Sequence, residues 1–288
     1  SDQEGHWTPM NRINWIKPGR FYGNMMAANP QQVAADATEP PVCWIHREVD
    51  RSPTAQVWVP RDHWGSLGGA LLSLSYGTGK TFRVLYEDAG DVRQGGIVQL
   101  PIPELPTGIQ RGRFHPGDGN LYVCGLFGWS SDKTLAGGFY RIRHTGQEVT
   151  TPTELSALRR GVMLRFPVPL DQKSAAVASN FVVSRWNYHR TANYGSDDFR
   201  VSNGKLGRDR VDVSHVSVSR DLQSVFLHIA DMTPCMQMRI RFRLQEPSGE
   251  SLDGFVDHTV HVLNEISADT RDRFVDRLVP PLPPRDVS

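Results

Sequence analysis

The chain has 288 residues, with 32 Lys and Arg against 31 Asp and Glu, and its formal net charge of +1 excludes a whole-molecule field that would draw it onto nucleic acid or an anionic membrane. Hydrophobic residues make up 39%, with 26 Gly and 20 Pro, the composition of a turn-rich globular protein long enough for about two domains. No apolar run approaches the roughly 20 residues of a membrane span, and Cys43, Cys124 and Cys235 form no CxxC or CxxCH, which leaves one disulfide or, more simply, three buried thiols.

In chain order, WTPMNRINWIKPGRFY (residues 7–22) reads as short strands or extended loop around Asn-Arg and Lys-Pro-Gly turns. Residues 24–42 lack alternation and end on Pro40-Pro41, as expected of a surface connection. From Cys43 onward, CWIHREV, QVWVP, GALLSLSYG, KTFRVLYED, GGIVQLPI, GIQRGRFHP, NLYVCGLFGW and GGFYRIRHTG each read as a short strand closed by Gly, Pro or Asp, with no sustained helical period. Residues 96–102, 108–116, 120–126 and 137–144 then predict four strands in the length of one propeller blade, and the strands before them supply most of another. Two and a half blades cannot close a ring, so residues 1–150 are expected to be the terminal blades of a partial β-propeller or a smaller open assembly.

Beyond Thr150 the character changes. GVMLRFPVPLD predicts a strand and residues 171–178 a short helical turn, followed by FVVSRWNYHR and four further strands. Val211, Val213, Val216 and Val218, then Val225, Leu227 and Ile229, give each strand one apolar and one polar face, with residues 220–223 as the turn between them. Met236, Met238, Ile240, Phe242 and Leu244 alternate with Gln237, Arg239, Arg241 and Arg243. Residues 151–265 therefore predict an immunoglobulin-like β-sandwich wet on one side. Residues 266–288 predict a short helix capped by Ser267 or Asp269, then a proline-rich linker or tail through Pro280-Pro281 and Pro283-Pro284. The fold class is all-β, terminal propeller blades followed by a sandwich.

The phrases WTPMNRINWIKPGRFYGN, GALLSLSYGTGK, GIQRGRFHPGDGNLYVCGLFGW and GGFYRIRHTG resemble the last propeller blades of the large secreted glucose/sorbosone dehydrogenase-like proteins of planctomycete-type bacteria. RWNYHRTANYGSDDF and PCMQMRIRFRL resemble the β-sandwich that follows that propeller, and the resemblance runs from about Trp7 to Leu263. It implies a secreted or periplasmic protein, with carbohydrate as ligand and a c-type cytochrome domain or other electron acceptor as partner. Quinoproteins of this kind hold pyrroloquinoline quinone and calcium over a six-bladed propeller, where a His base takes the sugar hydroxyl proton as hydride leaves the carbon. Most of those parts come from earlier blades, so no catalytic base transfers to this chain. The resemblance therefore implies the scaffold or docking part of a sugar dehydrogenase-like protein. The alternatives are an active quinone-dependent oxidoreductase acting on sugar hydroxyls, and a carbohydrate-binding or cell-surface structural β-protein.

For cofactor binding the candidates lie in RGRFHPGDG: His115, with Arg111 and Arg113 as anion-holding neighbours and Asp118 as a calcium ligand. A hairpin turn explains the same residues, because Pro fixes φ and Asp-Gly takes positive φ. Trp64 and Trp129 are the candidates for stacking on substrate. Trp186, Tyr188, Tyr194 and Phe199 pose the same choice between a sugar platform and rings packed against the first region. Gly77-Thr78-Gly79-Lys80-Thr81 mimics the end of a phosphate loop, but the full spacing fails and a hairpin turn suffices. His258 and His261 fall on opposite sides of a strand and cannot share an ion. Asp197, Asp198, Asp209 and Asp212 are interleaved with Arg200, Arg208 and Arg210, which favours ion pairs over calcium. No metal set is singled out, and neither GxSxG nor HExxH occurs.

Overall fold

The computed structural model describes residues 1–23, 25, 38–128 and 131–274. Strands β1 (Asn11–Ile13) and β2 (Cys43–Ile45) pair antiparallel. An antiparallel meander follows, of β3 (Pro53–Trp58), β4 (Leu71–Ser75), β5 (Thr81–Ala89) and β6 (Val92–Gln99). Its turns use the expected residues. Gly79 sits at φ 66° in the GTGK turn, and Gly90, at φ 60°, is the first central residue of a two-residue loop, where a II′ turn requires glycine. β7 (Gly108–Phe114), β8 (Leu121–Leu126) and β9 (Gly137–Ile142) make a separate three-stranded meander, with HPGDG as its first turn and Gly119 at φ 66°.

The second half contributes β10 (Glu154–Leu158), β11 (Gly161–Arg165), the helical turn α1 (Gln172–Ala175), β12 (Phe181–Trp186), β13 (Asp209–Val211), β14 (His215–Val218), β15 (Ser224–His228), β16 (Cys235–Gln245), β17 (Ser251–Val260) and α2 (Ala268–Arg273). Both helices carry a side-chain cap: Asp171 accepts from the Ser174 amide, and Ser267 from the Thr270 amide. β10, β11, β15 and β14 form one sheet. The rest join an eight-stranded sheet in the order β13-β12-β16-β17-β6-β5-β4-β3, so strands from both sides of residue 150 lie in one sheet. The seam pairs Asp257 with Ile97 and His258 with Gly96. Glycine is required there, because a Cβ on Gly96 would lie 2.1 Å from the Asp257 carbonyl oxygen.

Alternation buries one face of each sheet against the other. Leu155, Val162, Leu164, Val225 and Leu227 of the smaller sheet share a core with Met238, Ile240, Phe242, Val256 and Val260 of the larger. A buried aliphatic side chain of this kind contributes about 1.5–3 kcal/mol. A second core lies where the three-stranded sheet packs on β3 and β4, with Leu72, Leu74, Ile109, Leu121 and Val123 around Trp64.

Several expectations change. Residues 96–102 do not open the unit of β7–β9: they end β6, which closes the preceding meander, and Pro101, Pro103 and Pro106 then break the ladder. No sheet among the described residues closes on itself. The polar face of β16 is wet from Arg241 onward; Gln237 and Arg239 are buried beside Trp186 and Tyr188, because that end is covered by the N-terminal segment. Cys43 and Cys235 are buried free thiols, which burial pushes up to about 12, whereas Cys124 is exposed on β8. The proline pairs of the tail lie outside the described residues.

Candidate functional site

The four cofactor candidates share the outward face of the β7–β9 sheet, and all are exposed. The ladder sets Arg113 beside Tyr122 and Arg141, and Arg111 beside Cys124 and Phe139. The His115 ring meets Tyr122 edge-on at 5.9 Å. Asp118 accepts from the Asn120 amide at 2.9 Å and from the Tyr122 hydroxyl at 2.8 Å, and these bonds, the amide first, hold its carboxyl down at about 2. His115 Nδ1 lies 3.3 Å from the same carboxylate. The guanidinium groups of Arg111 and Arg113 donate to the carbonyls of Gln110 and Gly112.

Calcium takes six to eight oxygen ligands. Asp118 is the carboxylate this face supplies, its two oxygens are engaged in the turn, and among the described residues no three His, Cys, Asp or Glu gather to hold a metal. The open sheet face does not fit a quinone–calcium centre. Trp64 braces the same turn from beneath: its indole N–H donates to the Gly119 carbonyl at 3.0 Å. The ring is only 7% exposed, with Phe114 at its edge and His144 stacked on it at 6.3 Å, so it floors a cavity of about 250 Å³ rather than offering a free face. Trp129 lies outside the described residues.

The remaining motifs resolve into structure. GTGKT is the β4–β5 turn, and the Ser75 hydroxyl at the end of β4 donates to the buried Asp50 carboxylate. Burial raises Asp50 to about 7. His258 is buried with neither ring nitrogen partnered, which pulls it down to about 3, while His261 meets the Pro41 carbonyl at 2.8 Å. Asp198 pairs with Arg208 at 2.6 Å, and Asp209 accepts from Ser202.

One constellation carried no sequence motif, because its members come from three distant stretches. His46 lies 3.4 Å from Glu48 and 3.3 Å from Asp198, and Arg208 reaches Glu48 at 3.2 Å. Arg239 forks onto Asp257 through bonds of 2.6 and 2.8 Å. Arg208 lies 4.1 Å above the Trp186 ring. Burial raises the Asp198 carboxyl, but the bonds from His46 and Arg208 outweigh it and its net shift is downward. The cluster ties the segment after β2 to β12, β16 and β17. Trp186 and Tyr188 are fully used in it, as packing rings.

Tyr194 and Phe199 lie apart from that packing. Residues 189–199 fold back onto the N-terminus through the Trp7 amide to the Thr191 carbonyl, the Gly195 amide to the Gly5 carbonyl, and a bridge between His6 and Tyr194. Gly195 makes this bend at φ 67°. The result is an open cleft of about 390 Å³ lined by Arg47, His189, Asn193, Tyr194, Asp197 and Phe199. His189 stacks on Phe199 at 3.7 Å, and Tyr194, 58% exposed, stands at the rim against His6. Arg47 is fixed between Glu4, at 2.8 Å, and the Ser196 carbonyl.

No protein-family model, curated protein or solved structure matches the chain. Among the described residues no helix is long and apolar enough to cross a membrane. The aromatic density of residues 186–199 was the available pointer to the cleft; Arg47 had none, since only the fold brings it there.

Proposed function

We propose that this chain is a carbohydrate-binding β-scaffold, the non-catalytic docking part of a larger secreted sugar dehydrogenase-like protein. The observation that carries the reading is the cleft at Tyr194. An exposed phenol ring and a stacked His189–Phe199 pair stand beside an amide, a carboxylate and a guanidinium in one open groove. Pyranose rings present C–H faces to aromatic rings and hydroxyls to planar polar groups, and a wet, shallow cleft accommodates a short stretch of such a chain. The sequence resemblance to sugar dehydrogenase-like proteins supports the same ligand class. Calorimetric titration with neutral gluco-, xylo- and chito-oligosaccharides tests it: one of them binds, and Tyr194→Ala weakens that binding at least fivefold. If none binds at millimolar concentration, the reading fails.

A further inference from the structure

The outward face of β7–β9 gathers four exposed arginines around one aromatic ring pair. Several arginines elsewhere sit in ion pairs, as Arg165 with Asp221, Arg185 with Asp231, Arg208 with Asp198 and Arg239 with Asp257, and others, such as Arg241 and Arg243, stand exposed without one among the described residues. Strand alternation places Arg111 and Arg113 on one edge strand and Arg141 and Arg143 at the other, all exposed. Among the described residues none of the four has a carboxylate partner; Arg111 and Arg113 bond only to main-chain carbonyls. Alternate residues on a strand are about 6.7 Å apart and neighbouring strands about 4.8 Å. The arginines therefore form two rails on either side of β8. Between the rails run Tyr122 and Cys124, and Phe139 lies over Tyr122 with ring centroids 5.8 Å apart while remaining 73% exposed.

We propose that this face binds an acidic polysaccharide, with the arginine rails holding carboxylate or sulfate groups and Phe139 taking the apolar face of a sugar ring. Guanidinium groups suit such oxyanions because they fork onto two oxygens. A single-stranded nucleic acid fits less well. It needs successive aromatic platforms for successive bases, and here one ring is free against four cations. The net charge of +1 also lacks the excess typical of nucleic-acid binders. The surface is separate from the Tyr194 cleft, and either assignment stands or falls without the other.

Cys124 is the exposed thiol of the three and lies at the centre of the face, so it reports occupancy directly. The experiment measures heparin binding to the whole chain at low and high salt, with the oligonucleotide dT20 in parallel, and the rate at which N-ethylmaleimide modifies Cys124. Heparin is expected to bind in a salt-sensitive manner and to slow the thiol reaction at least fivefold. Arg113→Ser and Arg141→Ser should each weaken heparin about threefold, and the double variant about tenfold. Phe139→Ala should weaken it further, and Tyr194→Ala should leave it unchanged. The proposal is overturned if heparin fails to bind, if Cys124 is not protected in the wild-type protein, if the arginine variants bind as tightly as wild type, or if dT20 binds as tightly as heparin.

Discussion

Asp50→Asn probes the buried carboxyl beneath the β4–β5 turn. Asp50 is fully buried; one oxygen accepts from Ser75 and Thr78, and the other has no partner. Burial raises the group from 3.8 to about 7, so between those limits the unfolded chain ionises while the folded one keeps its proton. The stabilisation is complete below pH 3.8 and is lost as pH rises through 7. Three pH units at 1.36 kcal/mol each set a ceiling of about 4 kcal/mol. Asparagine carries no charge but brings an N–H to the unpartnered side, at a pH-independent cost of about 1–3 kcal/mol. The variant should therefore be less stable than wild type at pH 4 and more stable at pH 8, the two curves crossing between. His258 and His228, lowered by burial to about 3 and about 4, favour folding at higher pH in both proteins and cancel in the difference. Urea unfolding at 25 °C in half-unit pH steps measures it. Parallel curves for the two proteins would refute the assignment of Asp50 as a carboxyl that stays protonated in the fold.

Other perturbations follow from named contacts. His258→Leu removes an unpartnered imidazole whose neutral-state stabilisation is present above pH 6.5 and lost as pH falls toward 3; at pH 5 the variant should gain about 2 kcal/mol over wild type relative to pH 7.5, read from thermal melts at both values. Arg239→Met leaves Asp257 charged and buried and should cost about 3–5 kcal/mol, whereas Arg239→Met with Asp257→Leu should restore most of it in denaturant titrations. Gly96→Val forces a side chain into the Asp257 carbonyl and should destabilise by more than about 3 kcal/mol, with loss of amide exchange protection along β6 and β17 before other strands.

The strands and turns were legible because local chemistry decides them. The Pro116–Gly119 run, the helical turn after Leu170 and the Ser267 cap act within a few residues, and each stands where its residue type demands. Partnership was not legible. Nothing in GGIVQLPI states that it pairs with Thr81–Ala89 and with β17 rather than opening the next hairpin, since both of its edges carry ladder groups. The alternation of β16 shows which residues share a face but not what covers it, so Arg239 reads as wet until Trp186 and the His46 segment are placed over it. The same limit hid the cleft: Tyr194 and its neighbours were visible as an aromatic stretch, while Arg47 and the N-terminal residues that frame it arrive from across the chain.

The short ladder between β17 and β6 also constrains how the polypeptide is made. Ile97 emerges from synthesis long before Asp257, so the β6 edge must wait with its main-chain donors and acceptors open while some 160 residues are added. A waiting edge is a template for pairing with another copy of the chain. Gly95 and Gly96 lie on that edge and weaken it as a free strand, which favours delay over premature pairing. For the same reason, a nick in the connection near residue 150 would leave two pieces that co-elute under native conditions and separate only in denaturant.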